Sequence, residues 1–181
     1  MASKDTYKDC LKTMYGLRRF GIILGLETIL SILDELGNPH EKYACIHVAG
    51  TNGKGSVAAT LASILFESGY TVGLYTSPHL VSFNERICIN NRQVSNNEVV
   101  KAYRAVKRVH SGDRSPTFFE FATAMALYTF SNQRVDWAVI ETGMGGRLDA
   151  TNVILPHLSV ITNISLEHRE YLGNRLAAIA F

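Results

Sequence analysis

The chain is poor in cysteine, in long apolar runs and in clustered charge. Its three cysteines, Cys10, Cys45 and Cys88, have neither disulfide nor metal-ligand spacing, and Cys45 and Cys88 fall in apolar, strand-like contexts that favour buried thiols in a reducing cytosol. No apolar run reaches the roughly 18 residues that a membrane span needs, and no signal peptide is visible. The net charge of +2 comes without blocks of like charge, so nothing indicates nucleic-acid binding. These absences predict a cytoplasmic globular protein with no membrane or nucleic-acid partner.

Strand-like and helix-like segments alternate along most of the chain, whose 181 residues fit one domain. Apolar patterns predict strands at 44–49, 72–76, 135–140 and 158–162, a hairpin over 87–94, and helices near 5–15, 26–36, 57–66, 95–109 and 117–130. Continuous apolar strands that alternate with helices are typical of a parallel sheet covered on both faces. The predicted fold class is α/β, a doubly wound and mainly parallel sheet with a P-loop.

The P-loop candidate is the glycine-rich turn Gly-Thr-Asn-Gly-Lys-Gly-Ser at residues 50–56, between a predicted strand and a predicted helix. Small residues let backbone N–H groups approach an anion, the helix start adds partial positive charge, and Lys54 can reach outer phosphates. The spacing departs from the standard P-loop, because Gly55 follows the lysine and delays the hydroxyl to Ser56. The turn predicts nucleotide binding and leaves the metal-binding hydroxyl open. The alternative is a glycine-rich turn without a ligand.

Polar side chains follow three of the predicted strands. Ser77 comes after the second strand, Glu141 directly follows the third, and His168 follows the fourth. Ligands gather at the carboxyl ends of strands in such sheets, and Mg²⁺ prefers oxygen ligands. Taken singly, Ser77 also fits a turn, Glu141 a cap or loop carboxylate, and His168 a packed or solvent-facing histidine.

An ordered set of motifs resembles folylpolyglutamate synthase/dihydrofolate synthase, a family of the ATP-dependent Mur-ligase group. The resemblance runs from about residue 24 to the end of the chain, and the family shares the Lys-Gly-Ser order of the loop. The motifs are Gly-Thr-Asn-Gly-Lys-Gly-Ser at 50–56, Thr-Ser-Pro-His-Leu at 76–80, Phe119-Glu120, the run 141–152, and Glu167-His168 followed by Leu172-Gly173.

This resemblance implies roles for particular residues. Lys54, Glu141 and His168 are the implied catalytic residues, and Ser77, Glu141 and His168 are the implied magnesium ligands. Glu167 stands where the family usually has aspartate. The implied ATP-binding residues are Thr51, Asn52, Gly53, Lys54, Gly55 and Ser56. The implied substrate-binding residues are Ile22, Ile23, Leu24, Thr117, Phe118, Phe119, Glu120, Leu148, Asp149 and Ala150. Apolar spacing alone also allows Phe118, Phe119 and Phe121 to form a buried helix face.

The activity that the resemblance implies is ATP-dependent amide formation. A folate or dihydropteroate carboxylate becomes an acyl phosphate, and L-glutamate displaces the phosphate, with ATP and Mg²⁺ as cofactors and a monomeric full-length enzyme. Residues 1–181 are expected to be the P-loop ATPase domain, apparently truncated before a glutamate-ligase domain and inactive alone. The alternatives are a Mur-type ligase for a cell-wall precursor, which the 76–80 motif disfavours, and a non-catalytic ATP-binding remnant.

Overall fold

The computed structural model describes residues 5–109 and 112–180. The expectations for residues 1–4, for Ser111 in the predicted loop and for the chain end at Phe181 lie outside the described residues. The strands are β1 (Ala44–Ala49), β2 (Val72–Tyr75), β3 (Ile87–Ile89), β4 (Arg92–Gln93), β5 (Trp137–Glu141) and β6 (Leu158–Ile161). The helices are α1 (Tyr7–Gly16), α2 (Glu27–Glu35), α3 (Lys54–Glu67), α4 (Asn96–Lys107), α5 (Phe118–Asn132), α6 (Arg169–Leu172) and α7 (Leu176–Ala180). Short 3₁₀ turns lie at Leu17–Phe20, Pro39–Glu41, Phe83–Arg86 and Ala150–Val153.

The described strands form one sheet in the order β4-β3-β2-β5-β1-β6. Strands β2, β5, β1 and β6 run parallel, while β3 and β4 pair antiparallel at one edge. The predicted hairpin is confirmed, and its turn residues Asn90 and Asn91 both have positive φ, the conformation that a two-residue hairpin loop requires. The predicted α/β class is therefore confirmed.

Helices pack on both faces of the sheet. On one face α3 covers Ile46, Val48 and Val139. On the other, the larger core centres on α5, which is apolar all round and is buried beneath α1, α2 and α4. Phe121 packs in this core with its ring centroid 5.6 Å from that of Tyr103, as the buried-face interpretation allows. No helix in the described part of the chain has both the length and the apolar character to cross a membrane.

Two local predictions differ from the structure. The helix after β1 begins at Lys54 rather than at residue 57, because its first turn is built of small and polar residues that carry no apolar period. The second difference is Cys88, which is only half-buried rather than buried. The thiol of Cys45 is buried as predicted, and its pKa rises to about 12 because burial disfavours the thiolate. Both cysteines are free thiols.

Candidate functional site

The strand order brings the predicted polar residues to one edge of the sheet. Strand β5 lies between β1 and β2, so Glu141 at its end lies between the loop after β1 and Ser77 after β2. Strand β6 flanks β1 on the other side, which places the segment 162–165 against the same loop. The carboxyl ends of the four parallel strands thus surround residues 50–56, where ligands collect in doubly wound sheets.

The loop after β1 is anchored to the segment that follows β6. The Thr51 N–H donates to the carbonyl of Asn163 at 2.8 Å, and the Asn52 N–H donates to the Asn163 side chain at 3.1 Å. The Thr162 hydroxyl donates to the Asn52 carbonyl at 2.7 Å. Gly50 has φ 131°, and a Cβ there would lie 2.9 Å from the Asn163 carbonyl oxygen, so glycine is needed for the close approach. These bonds preorganise the loop before any ligand arrives.

The start of α3 supplies the anion-binding features of the loop. Gly53 takes the left-handed conformation with φ 79°, and the helix begins at Lys54 without a side-chain cap. The first N–H groups of a helix have no intrahelical acceptor, and helix starts commonly bind anions for this reason. The Lys54 ammonium donates to the Thr51 carbonyl at 3.1 Å. An open cavity of about 480 Å³, the loop cavity, is lined by residues 51–56, Ser77, Pro78 and Glu141, together with Ala59, Leu74 and Thr76.

Glu141 is a buried carboxylate at the centre of this edge, 4% exposed. It accepts a hydrogen bond from the Ser77 N–H at 2.9 Å. Burial raises its pKa, and the Ser77 N–H, the Lys54 charge and the Gly55 N–H oppose that rise. Lys54 and the two backbone donors thus favour the charged form of Glu141, against the effect of burial.

The three predicted magnesium ligands are brought together in part. Ser77 and Glu141 are joined by the hydrogen bond above, and Ser77 and His168 line a second, shared cavity. His168 has positive φ (51°), and its side chain is 43% exposed. Within residues 5–109 and 112–180, no three His, Cys, Asp or Glu side chains cluster closely enough to form a metal site by themselves. The hydroxyl and carboxylate oxygens fit Mg²⁺, which commonly completes its shell with phosphate oxygens and water.

The second cavity, the apolar cavity, has a volume of about 300 Å³. It lies between the segment after α1, the start of α5 and the loop after β5. All ten substrate-binding residues implied by the sequence line it: Ile22, Ile23, Leu24, Thr117, Phe118, Phe119, Glu120, Leu148, Asp149 and Ala150. Ser77 and Pro78 belong to the linings of both the loop cavity and the apolar cavity, so the two spaces share one wall.

Asp149 and Glu120 line the apolar cavity, but their carboxylates also accept hydrogen bonds from other residues of the protein. From the described residues, Asp149 accepts the N–H groups of Gly143 and Met144 on one oxygen, and the N–H and hydroxyl of Thr151 on the other, at 2.6 to 3.0 Å. Glu120 pairs bidentately with Arg114 at 2.7 and 2.9 Å. Asp149 therefore closes the loop 143–149, and Glu120 fixes the start of α5.

His47 extends the Asp149 network into the sheet. Its Nε2 lies 2.8 Å from the Thr151 hydroxyl oxygen. Since that hydroxyl gives its single hydrogen to Asp149, His47 must donate through Nε2–H. The histidine is 7% exposed, and burial lowers its pKa to about 4. The neutral tautomer thus supports the loop that walls the apolar cavity.

The buried His47 predicts a specific acid sensitivity. Its folded pKa of about 4 lies below the ordinary value of 6.5, so below pH 6.5 the unfolded chain takes up the proton first. The free energy of unfolding is unaffected by His47 above pH 6.5 and falls by about 3 kcal/mol as pH drops from 6.5 to 4. Urea unfolding measures the free energy of unfolding of wild type and of His47→Gln at both ends of this pH window. The loss of stability between the two pH values should be about 3 kcal/mol smaller in the variant. His157→Gln, at an exposed position, is the control. Parallel pH curves for wild type and His47→Gln would contradict the assignment.

Several residues at this edge have no predicted role. Asn163 could have been found as a polar residue at a strand end. Arg86 carries no local signal: it follows a Ser82–Glu85 capping box, yet it is 5% exposed and lines the apolar cavity. Gly143 and Met144 also line that cavity, and their side chains offer no polar chemistry that would single them out.

Comparison with known proteins identifies the family of this chain. The Mur ligase middle-domain model matches residues 48–180. Dihydrofolate synthase/folylpolyglutamate synthase of Bacillus subtilis is 42% identical over 180 residues, covering 96% of this chain and 42% of that protein. A solved structure of E. coli FolC in complex with DHPP and ADP aligns with a TM-score of 0.89 and 35% identity, over 98% of this chain and 42% of that one. An FPGS–AMPPCP–folate complex aligns with a TM-score of 0.89 and 40% identity, over 97% and 44%.

The chain spans less than half the length of these relatives. The resemblance to folylpolyglutamate synthase/dihydrofolate synthase that the motifs indicate is confirmed by these matches. With the family model matching well over half of its residues, the chain belongs to the Mur ligase family and carries the middle domain of that family.

Proposed function

We propose that this chain binds Mg–ATP in the loop cavity and a folate or dihydropteroate acid in the apolar cavity, as part of a cytoplasmic enzyme that adds L-glutamate to that acid. The observation that carries the proposal is the wall of Ser77 and Pro78 shared by the two cavities. An acid in the apolar cavity can present its carboxylate at this wall to a phosphate held by residues 51–56. The relatives crystallised with ADP, AMPPCP, folate or DHPP support the same ligand classes.

The proposed reaction begins with attack of the acceptor carboxylate on the γ-phosphorus of ATP. The bond from that phosphorus to the bridging oxygen breaks, ADP leaves and an acyl phosphate forms. The amine of L-glutamate then attacks the acyl carbon, phosphate leaves and the amine loses a proton. Catalysis of the first step is mainly positioning and charge neutralisation.

The side chains of this chain serve that first step by screening charge. Two anions about 4 Å apart repel by roughly 4 kcal/mol at an effective dielectric of 20. The Lys54 ammonium and the first N–H groups of α3 lie at the loop to offset this repulsion. Ser77, Glu141 and His168 would hold Mg²⁺, which when bound neutralises phosphate charge. Phe118 and Phe119, both half-buried, offer aromatic surface to a flat ring in the apolar cavity.

The chain covers less than half the length of its relatives, so we propose that glutamate ligation itself belongs to a longer, monomeric enzyme. This chain alone retains ligand binding but has no ligase turnover. Calorimetric titration of this chain, with Mg²⁺ and a non-hydrolysable ATP analogue present, tests the acceptor. We expect dihydropteroate or folate to bind at least about tenfold more tightly than a nucleotide-linked peptidoglycan precursor. The reverse order would favour a cell-wall ligase. Binding of nucleotide but of neither acceptor would favour a non-catalytic ATP-binding protein.

A further inference from the structure

Arg86 is a buried cation that contacts an imidazole and an aromatic ring. It is 5% exposed at the end of the 3₁₀ turn Phe83–Arg86. Its Nε–H donates to His79 Nδ1 at 2.7 Å, and its guanidinium lies 5.3 Å from the centroid of the Phe118 ring. Its charge also lies close enough to the Tyr75 hydroxyl to oppose the rise in the pKa of Tyr75 that burial causes. Among residues 5–109 and 112–180, no carboxylate forms an ion pair with it. Burying an arginine without a direct ion-pair partner is costly, so an anionic ligand within hydrogen-bond reach would stabilise the side chain.

The position of Arg86 in the apolar cavity indicates which anionic ligand it would bind. It lines the apolar cavity together with Ser77 and Pro78, and it is not among the residues that line the loop cavity. It is also close enough to Glu141 to act on its charge. Arg86 therefore lies at the end of the apolar cavity that adjoins the proposed phosphate site, on the acceptor's side of the shared wall.

We infer that Arg86 binds the carboxylate of the acceptor acid and holds it at the Ser77–Pro78 wall, an inference that rests on the proposed function. Arginine keeps its charge and its planar array of donors matches a carboxylate. Its Nε is fixed by His79, which leaves the terminal nitrogens as the groups that meet the ligand. The apolar walls then select the ring system, while Arg86 selects the acid over neutral analogues.

The test compares dihydropteroate with its carboxamide, which keeps the ring system and removes the charge. We expect wild type to bind the acid at least about tenfold more tightly than the amide. Arg86→Met should lose this preference by weakening acid binding while leaving amide binding within about twofold. Arg86→Lys should keep part of the preference, and Arg92→Met, at an exposed position on β4, should keep all of it. An unchanged far-UV circular-dichroism spectrum of the Met variant checks its fold.

A Met variant that retains the acid preference, or a wild type that binds acid and amide equally, would overturn the assignment of Arg86 alone. Wild type that binds neither compound would overturn the proposed function and this inference with it. If Arg86→Met does not fold, the ¹⁵N guanidinium resonances of Arg86 in wild type decide. They should shift when the acid is added and not when the amide is added. Equal responses to both would refute the contact.

Discussion

Lys54→Ala is expected to weaken Mg–ATP binding to this chain by about 100-fold. Lys54 begins α3, and its ammonium rests on the Thr51 carbonyl 3.1 Å away, within the loop cavity. Truncating one partner of a desolvated charge pair costs about 2–5 kcal/mol, and 3 kcal/mol is roughly 100-fold in affinity. Isothermal titration with a non-hydrolysable ATP analogue measures the effect directly.

The structure of the loop should survive the loss of Lys54. Its anchoring bonds run from Thr51 and Asn52 to Thr162 and Asn163, and none uses the lysine side chain. The melting temperature of Lys54→Ala should stay close to that of wild type. Lys101→Ala, at an exposed position on α4, should bind nucleotide normally. Near-normal ATP affinity of Lys54→Ala would mean that residues 50–56 are a structural turn rather than a phosphate loop.

Glu141→Gln is expected to remove most of the magnesium dependence of nucleotide binding. The glutamine keeps the volume and one acceptor oxygen for the Ser77 N–H but carries no charge for a cation. Charge-assisted ligation of this kind is worth about 1.5–3 kcal/mol, so Mg²⁺ should improve nucleotide affinity at least about tenfold less than in wild type.

Nucleotide titrations with Mg²⁺ and with EDTA separate this effect from a general loss of binding. In EDTA, wild type and Glu141→Gln should differ little, since removing a negative charge beside the phosphates offsets the lost organisation. Glu67→Gln, at the opposite, exposed end of α3, should respond to Mg²⁺ as wild type does. An equal magnesium response in Glu141→Gln would exclude Glu141 as a ligand.

Local sequence patterns predict the elements of this fold better than their arrangement. The apolar run of β1, the glycine-rich loop and the Asn90-Asn91 turn carry their own signals, because strand periodicity and positive φ are local properties. The order of the strands is not local. Placing β5 between β1 and β2 is what brings Glu141 within 2.9 Å of the Ser77 N–H, and no residue in either segment encodes that neighbour.

The candidate site, too, is only partly predictable from local sequence. The residues implied by motif resemblance line two adjoining cavities, but their supports come from tertiary packing. Arg86 sits in a short polar turn that a sequence pattern assigns to the surface, and it is buried because Phe118 and His79 cover it. His47 lies in an apolar strand whose pattern gives it no special role. Its hydrogen bond to Thr151 joins residues 104 positions apart, which a local pattern does not predict.

The proposed function depends most on one arrangement, in which the nucleotide and the acceptor acid meet at the wall of Ser77 and Pro78. A crystal structure of this chain with Mg²⁺, a non-hydrolysable ATP analogue and dihydropteroate tests it directly. We predict the terminal phosphates at residues 50–56, the pterin ring between Leu24, Phe119 and Leu148, and the carboxylate at the shared wall. A pterin ring outside the apolar cavity, or phosphates away from the loop, would contradict the proposed function.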